Sequence, residues 1–333
     1  MIIIIILFII ILLIFFYYQL KKHYWFNFSL LIHKNKINKY FSIKDPSILS
    51  TSNIDEINIE NFVELYKQYY PSSFLITKKT FINFFEYNAN PFIIYKIQNN
   101  FPIAAILVSL QKYILHQKNI SILNIDYAIV DLKFRNKNIF QSLMHEIADI
   151  GNKNNVFTGV FKTDLKPIPF LKYNFHSMYY KTAFKKLNEK FSNKPVKIRE
   201  ISENDINKLY AKLQRDFIYY PGRECLESIL TKNKEFINFC IDAKIIFSFK
   251  YNSPKIIEII NIFFLEEKIN MQLLEEGIIY ILGGYNFEEM VVEDVGMNGI
   301  FIKWMGNLMQ PMHKSYHYFL GVSEKIEKEK CIL

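Results

Sequence analysis

Between Ala128 and Ile150 the chain reads AIVDLKFRNKNIFQSLMHEIADI. An extended apolar run stops at Lys133, and three cations, Lys133, Arg135 and Lys137, fall in one short turn before an amphipathic pattern begins. Ile139, Phe140, Leu143, Met144 and Ile147 share one helical face. Asn138 stands at the N-cap position with Gln141 three residues on, the spacing of a capping box. The cations therefore sit where unpaired backbone N–H groups and the helix dipole already favour an anion. A strand, a basic turn and a helix N-terminus in succession suit a diphosphate. The preceding strand, Ser121 to Ile129, alternates with Leu123, Ile125, Tyr127 and Ile129 on one face, so it can present backbone groups to a neighbouring acyl carbonyl. A solvated surface turn gives the same local pattern, since short basic turns are common.

The elements around this turn follow a plan that occurs twice. One segment opens with ENFVELYKQYYP (60–71) and the other with ENDINKLYAKLQRDFIYYP (203–221), each with Leu-Tyr in a helical pattern and Tyr-Tyr-Pro at its close. Apolar strands come next: PFIIYKI and PIAAILVSLQKYIL in the first, FINFCIDAKIIFSFKY and IIEIINIFFL in the second. An amphipathic helix and a further strand complete each segment, IFQSLMHEIADI with VFTGVF and INMQLLEEGIIYIL with EMVVEDV. Gly151 and Gly283-Gly284 punctuate helix and strand. The expected fold is α/β (α+β): two fused acetyltransferase-like half-domains sharing a mixed sheet. At the position of the basic turn the second segment carries Glu266-Glu267-Lys268-Ile269-Asn270, so only the first is cationic.

With 333 residues, half of them hydrophobic, the chain has ample material for two domains and a sizeable core. The formal net charge of +9 is spread along the chain without a long basic run, which argues against a nucleic-acid arm and fits an anionic surface or a phosphorylated ligand. Cys225, Cys240 and Cys331 match no metal or redox spacing, and Cys331 is too close to the end for a prenylation box. His313 and His317 have helical i, i+4 spacing but no ligand partner in the sequence around them, so no metal site is expected.

Ile2 to Tyr18 contains no polar group except two tyrosine hydroxyls, and Lys21, Lys22, Tyr24 and Trp25 follow. About 20 apolar residues span a bilayer, with aromatic and basic residues at the interface. The run lacks the basic start and small-residue cleavage site of a signal peptide. Residues 1–23 are thus expected to be a single transmembrane anchor, with residues 24–50 as a linker and the body on the cytosolic side.

The strand and basic turn have the layout of acyl-CoA-dependent transferases, with pantetheine along the strand and diphosphate on the next helix. More closely, the chain resembles the myristoyl-CoA:protein N-myristoyltransferase family. The family's N-F-L-C-V-H-K-K-L-R-S-K-R lies without a gap over Asp126 to Asn138, placing Asp126 where the family has asparagine. Val156 to Phe161 and Leu165-Lys166-Pro167 echo G-I-F-Q-A-V-Y-T and L-P-K-P, Lys172 to Met178 echoes R-Y-W-H-R-S-L, and Asp294 to Ile302 echoes D-L-M-E-N-K-T-F-L. The resemblance runs from about residue 45 to the end.

It implies an enzyme that transfers myristate from myristoyl-CoA to the amine of an N-terminal glycine, with acyl-CoA as co-substrate, a glycine-terminated protein or peptide as partner and no prosthetic group. It assigns the oxyanion hole to the backbone amides of Tyr127 and Ala128, and the general base to the carboxylate of Leu333. The cofactor is assigned to Ile129, Val130, Lys133, Arg135, Asn136, Lys137, Asn138, Ile139 and Phe140. The acceptor falls to Tyr70, Phe74, His176, Ser177, Tyr179 and Asn298. Residues 51–185 would form the acyl-CoA half and 186–333 the half with the peptide side. The family's G-x-G-D-G-N is absent, with Gly306 to Pro311 in its place, and Tyr70 to Phe74 replaces an acidic run. These departures leave two alternatives open: an inactive module that binds acyl-CoA or an acylated protein, and an acetyl-CoA-dependent acetyltransferase.

Overall fold

The computed structural model describes residues 43–69, 76–164, 166–168, 172–190, 196–253, 255–268, 270–320, 322 and 326–332. In chain order its main elements are β1 (Ile48–Thr51), α1 (Ile59–Tyr69), α2 (Lys78–Tyr87), β2 (Pro91–Gln98), β3 (Phe101–Leu115), β4 (Lys118–Val130), α3 (Ile139–Lys153), β5 (Gly159–Asp164), β6 (Phe175–Ala183) and α4 (Phe184–Lys190). There follow β7 (Ile198–Arg199), α5 (Glu203–Asp216), β8 (Tyr219–Pro221), α6 (Arg223–Glu227), β9 (Ile237–Ile241), β10 (Ile245–Ser253), β11 (Ile256–Phe264), α7 (Met271–Leu282), β12 (Glu289–Glu293), α8 (Asn298–Met305) and β13 (Gln310–Leu320).

The strands form one mixed sheet in the order β1-β2-β3-β4-β5-β13-β6-β12-β11-β10-β9-β7, with β8 paired to β3. The stretch FINFCIDAKIIFSFKY is a hairpin rather than one strand, because Asp242 and Ala243 both take positive φ and turn β9 back into β10. The runs β2-β3-β4-α3-β5 and β9-β10-β11-α7-β12 follow the same order. At the centre the last strands are exchanged: β13 pairs with β5, and β6 pairs with β12. Among the strand pairs of the described residues, β4–β5 and β11–β12 are parallel and the others antiparallel, and each parallel pair is joined by a helical crossover.

Apolar alternation divides the sheet into two faces. On one, Ile139, Leu143, Met144 and Ile147 of α3 pack on Ile106, Val108, Leu123 and Ile125. Each such buried side chain contributes on the order of 1.5–3 kcal/mol. Leu274, Ile278 and Ile281 of α7 pack likewise on Phe247, Ile257 and Val292. Gly151 belongs to α3 itself, not to the turn after it; a Cβ there would meet the Val156 carbonyl oxygen at 2.6 Å. The other face is concave. Five strands separate β4 from β10, which in a flat sheet would place them about 29 Å apart. Yet the charge of Lys250 on β10 acts on Asp126 of β4, and Ile114 of β3 shares a core with Ile246 of β10. The sheet curls until its two wings face each other.

No helix among the described residues is long and apolar enough to cross a membrane. That overturns the single-pass membrane localisation expected above. The apolar run 2–18 on which the transmembrane helix of the expected fold rested lies outside the described residues. Part of the 24–50 span read as linker belongs to the folded body, since β1 pairs with β2 and Asp45 bonds Lys96.

Candidate active site

The strand that precedes the basic turn is broken at one point. Its register with β3 runs from Asp126↔Leu107 to Ile129↔Ala105, so Tyr127 and Ala128 both lie opposite Ile106. This bulge places Tyr127 at φ +50, and its carbonyl accepts a hydrogen bond from the Tyr66 hydroxyl of α1. Bulges re-aim backbone groups out of the ladder. The strand also parts from its neighbour here: β4 and β5 are in register only at Leu123↔Gly159 and Asn124↔Val160. Beyond that the two diverge, and the bulge stands beside the opening.

The second segment repeats the bulge and closes it. The β10–β11 register steps from Ser248↔Asn261 to Phe249↔Ile259, leaving Ile260 extra. There the Asn298 side chain, at the start of α8, donates to the Ile260 carbonyl at 2.9 Å and accepts from the Ile262 N–H at 3.0 Å. Asn298, expected on the acceptor side, is buried and has both ends of its amide committed to β11.

The basic turn is a short 3-10 helix over Leu132–Phe134, capped by Asp131, whose carboxylate accepts from the Lys133 N–H at 2.9 Å. Arg135 donates through Nε to the Val130 carbonyl at 3.1 Å, and the Lys137 ammonium lies 4.9 Å above the Phe134 ring. Asn136 and Asn138 take left-handed conformations, φ 64 and 59. Asn138 is the N-cap of α3, but its side chain makes no capping bond, so the expected capping box with Gln141 is absent. A left-handed N-cap turns the side chain away from the N–H groups it would otherwise satisfy. Lys133, Arg135, Asn136, Lys137 and Asn138 are exposed, Val130 and Phe140 half-buried, and Ile129 and Ile139 buried.

The concave face carries a polar floor across the centre of the sheet. Glu293 of β12 accepts hydrogen bonds from Ser177 Oγ and from Lys162 Nζ at 3.2 Å, and pairs with His317 Nε2 at 2.8 Å. Lys162 donates to the Tyr179 hydroxyl at 2.5 Å, and that hydroxyl donates to Glu258 at 3.1 Å. Lys250 lies 3.8 Å from Glu258 and 4.0 Å from Glu235. Ser315 donates to Asp164, and the His313 ring stacks on Tyr179 at 4.8 Å. Burial alone would raise the Glu293 carboxyl, but the charges of Lys162 and His317 and the hydrogen bonds from His317 and Ser177 hold it well below the usual range. Burial would lower the Lys162 ammonium; Glu293, Tyr179, Glu258 and Asp164 raise it well above its ordinary value instead. The Lys162 side chain nevertheless keeps 40% exposure on the concave face.

The C-terminal segment packs beside this floor on the concave face. Cys331 bridges Tyr219 in parallel, and the Ile332 N–H donates to the Tyr219 carbonyl at 2.8 Å. Cys331 packs with Ile122, Val160, Phe175 and Phe319. Gly296, at φ +58, seats it: a Cβ would meet the Cys331 carbonyl oxygen at 2.8 Å. The charged approach EKIEKEKCIL is, in its described residues through Ile332, built into the body: Ile326, Cys331 and Ile332 are buried.

Of the residues expected at the acceptor, Ser177 and Tyr179 lie in the polar floor, while His176 points to the opposite face and is exposed. Tyr70, Phe74 and Leu333 lie outside the described residues. His313 and His317 are on a strand, not a helix, and among the described residues no cluster could hold a metal. Sequence reasoning missed Lys162, Lys250, Glu258 and Glu293. Their one signal is a charge set in an apolar strand, alone in IIEIINIFF and at the end of EMVVE.

No protein-family model and no curated sequence matches the chain. Solved structures do. Saccharomyces cerevisiae N-myristoyltransferase with bound myristoyl-CoA aligns at TM-score 0.66 and 14% identity, over 85% of each chain. The same yeast enzyme with myristoyl-CoA and inhibitors aligns at TM-score 0.63 and 14% identity, over 86% of this chain and 85% of that one. A GCN5-related N-acetyltransferase from Kribbella flavida aligns at TM-score 0.50 and 7% identity, over 82% and 72%. The chain has the fold of the N-myristoyltransferases.

Proposed function

We propose that this protein is an acyl-CoA-dependent N-acyltransferase that moves a long acyl chain, myristate, onto the amine of an N-terminal glycine. The observation that carries the reading is the bulge at Tyr127-Ala128 beside the divergence of β4 and β5, in a fold shared with an enzyme solved with myristoyl-CoA. In this reading the amides of Tyr127 and Ala128 stabilise the oxyanion of the thioester carbonyl. Ile129 and Val130 align the pantetheine. Lys133, Arg135 and Lys137, with the amides of Asn138, Ile139 and Phe140, hold the diphosphate.

The acyl-CoA side belongs to residues 51–185. The acceptor peptide approaches over the polar floor, past Ser177 and Tyr179. Only the first segment serves the cofactor, because in the second the bulge is filled by Asn298 and the turn is acidic. A fourteen-carbon chain brings on the order of 10 kcal/mol of apolar burial, against very little for acetyl.

The test is release of CoA thiol when the protein is mixed with myristoyl-CoA and an N-terminal-glycine peptide. Turnover that myristoyl-CoA supports and acetyl-CoA does not inhibit is the expected result. Tight acyl-CoA binding without release would reduce the protein to a binding module.

A further inference from the structure

Asp126 occupies the position immediately before the bulge. Strand alternation puts it on the concave face with Asn124 and Ile122, and Ile122 already packs against the C-terminal segment. We propose that Asp126 is the general base that takes the proton from the acceptor amine. The inference rests on the acyl-transfer reading above and adds a catalytic residue to it.

Three features of the site support the assignment. First, Asp126 adjoins the two amides given to the oxyanion, so one short stretch of β4 reaches both the carbonyl oxygen and the attacking nitrogen. Second, the carboxylate is oriented: Asn124 Nδ2 donates to one of its oxygens at 2.7 Å, its one hydrogen bond among the described residues. Third, its surroundings tune it. Burial raises the carboxyl to about 6, against the pull of Lys250 on β10 and Lys162 on β5 and with the push of Glu235. Burial raises the hydroxyls of Tyr113 on β3 and of Tyr127, and the Asp126 charge adds to the rise at both. An α-amine titrates near pH 8. Proton transfer to Asp126 is therefore uphill by about a hundredfold, where an ordinary carboxylate near 4 faces about ten-thousandfold. The motif this chain resembles has asparagine at this position, and here the residue is a carboxylate.

The step balances without another reactant. The acceptor ammonium gives one proton to Asp126, and the freed lone pair forms the C–N bond to the thioester carbon. The tetrahedral intermediate collapses with the C–S pair leaving on sulfur. The second nitrogen proton goes to that thiolate, and Asp126 returns its own to solvent.

The experiment uses the full chain and its Asp126→Asn and Asp126→Glu variants with myristoyl-CoA and a glycine peptide. Asp126→Asn is expected to lower kcat/KM for the peptide by about 10²–10⁴-fold. It should leave myristoyl-CoA affinity within twofold and abolish the inflection near pH 6, while Asp126→Glu restores part of the rate. Isotope-edited infrared titration of the ligand-free protein should show a carboxyl near 6 that the asparagine variant lacks. Wild-type rates in Asp126→Asn, or an inflection that survives in it and disappears on deletion of Leu333, would overturn the inference alone. Absence of CoA release from the wild-type protein, despite myristoyl-CoA binding, would overturn the acyl-transfer reading and this inference together.

Discussion

Replacing Glu293 by glutamine tests whether charge holds the polar floor together. The carboxylate is 13% exposed and faces Ser177 Oγ, His317 Nε2 at 2.8 Å and Lys162 Nζ at 3.2 Å. Breaking a buried pair by removing one charge costs about 3–5 kcal/mol, because the remaining ion is left uncompensated. Glutamine keeps one acceptor oxygen, and Lys162 keeps Tyr179, so the lower end, about 3 kcal/mol, is expected at pH 7. For a chain of 333 residues that is a fall in Tm of roughly 4–5 °C. The sign with pH follows from the depressed carboxyl. Its contribution is fully present above the unfolded value of 4.5 and is lost as pH falls below it. Thermal unfolding by near-UV circular dichroism from pH 7 to 3 should thus show wild type and variant converging in acid. A variant within about 1 kcal/mol of wild type at pH 7, or a parallel acid slope, would refute the reasoning.

Neutralising Lys133, Arg135 and Lys137 together to glutamine should weaken acyl-CoA binding by roughly tenfold to a hundredfold and flatten its salt dependence, read by titration calorimetry at two ionic strengths. Gly296→Ala forces an L side chain to φ +58 against the Cys331 carbonyl. It should cost about 1–3 kcal/mol and speed carboxypeptidase release of the last residues. Asn298→Ala strips two hydrogen bonds from the β11 bulge and leaves a buried carbonyl and N–H unmatched. A loss of about 2–4 kcal/mol in denaturant unfolding is expected, without change in acyl-CoA affinity.

What was legible in the sequence was periodic. The strands β3 and β11 and the helices α3 and α7 announce themselves through runs of apolar residues at spacings of two or of three and four. The basic turn stood out because its three charges fall within five residues. The bulge did not, because Tyr127-Ala128 becomes irregular only against Ile106 on another strand. The polar floor was hidden for a related reason. Lys162, Glu293 and His317 lie far in the chain from one another and from the paired Lys250 and Glu258, and all converge only when the six strands from β5 to β10 align and the sheet curls. Asn138 misled because its composition fits a side-chain cap, while the backbone turned left-handed and denied it that bond.

The exchange of β6 and β13 has a bearing on motion. Two bodies that each complete the other's sheet cannot swing apart like jaws on a hinge without tearing ladders at β5–β13 and β6–β12. For the acyl transfer proposed above, entry and exit of the thioester would then fall to the connecting segments at the rim, with the central frame staying stiff. By the same logic neither part should fold when expressed alone, while the two, mixed as separate polypeptides, should find each other and assemble.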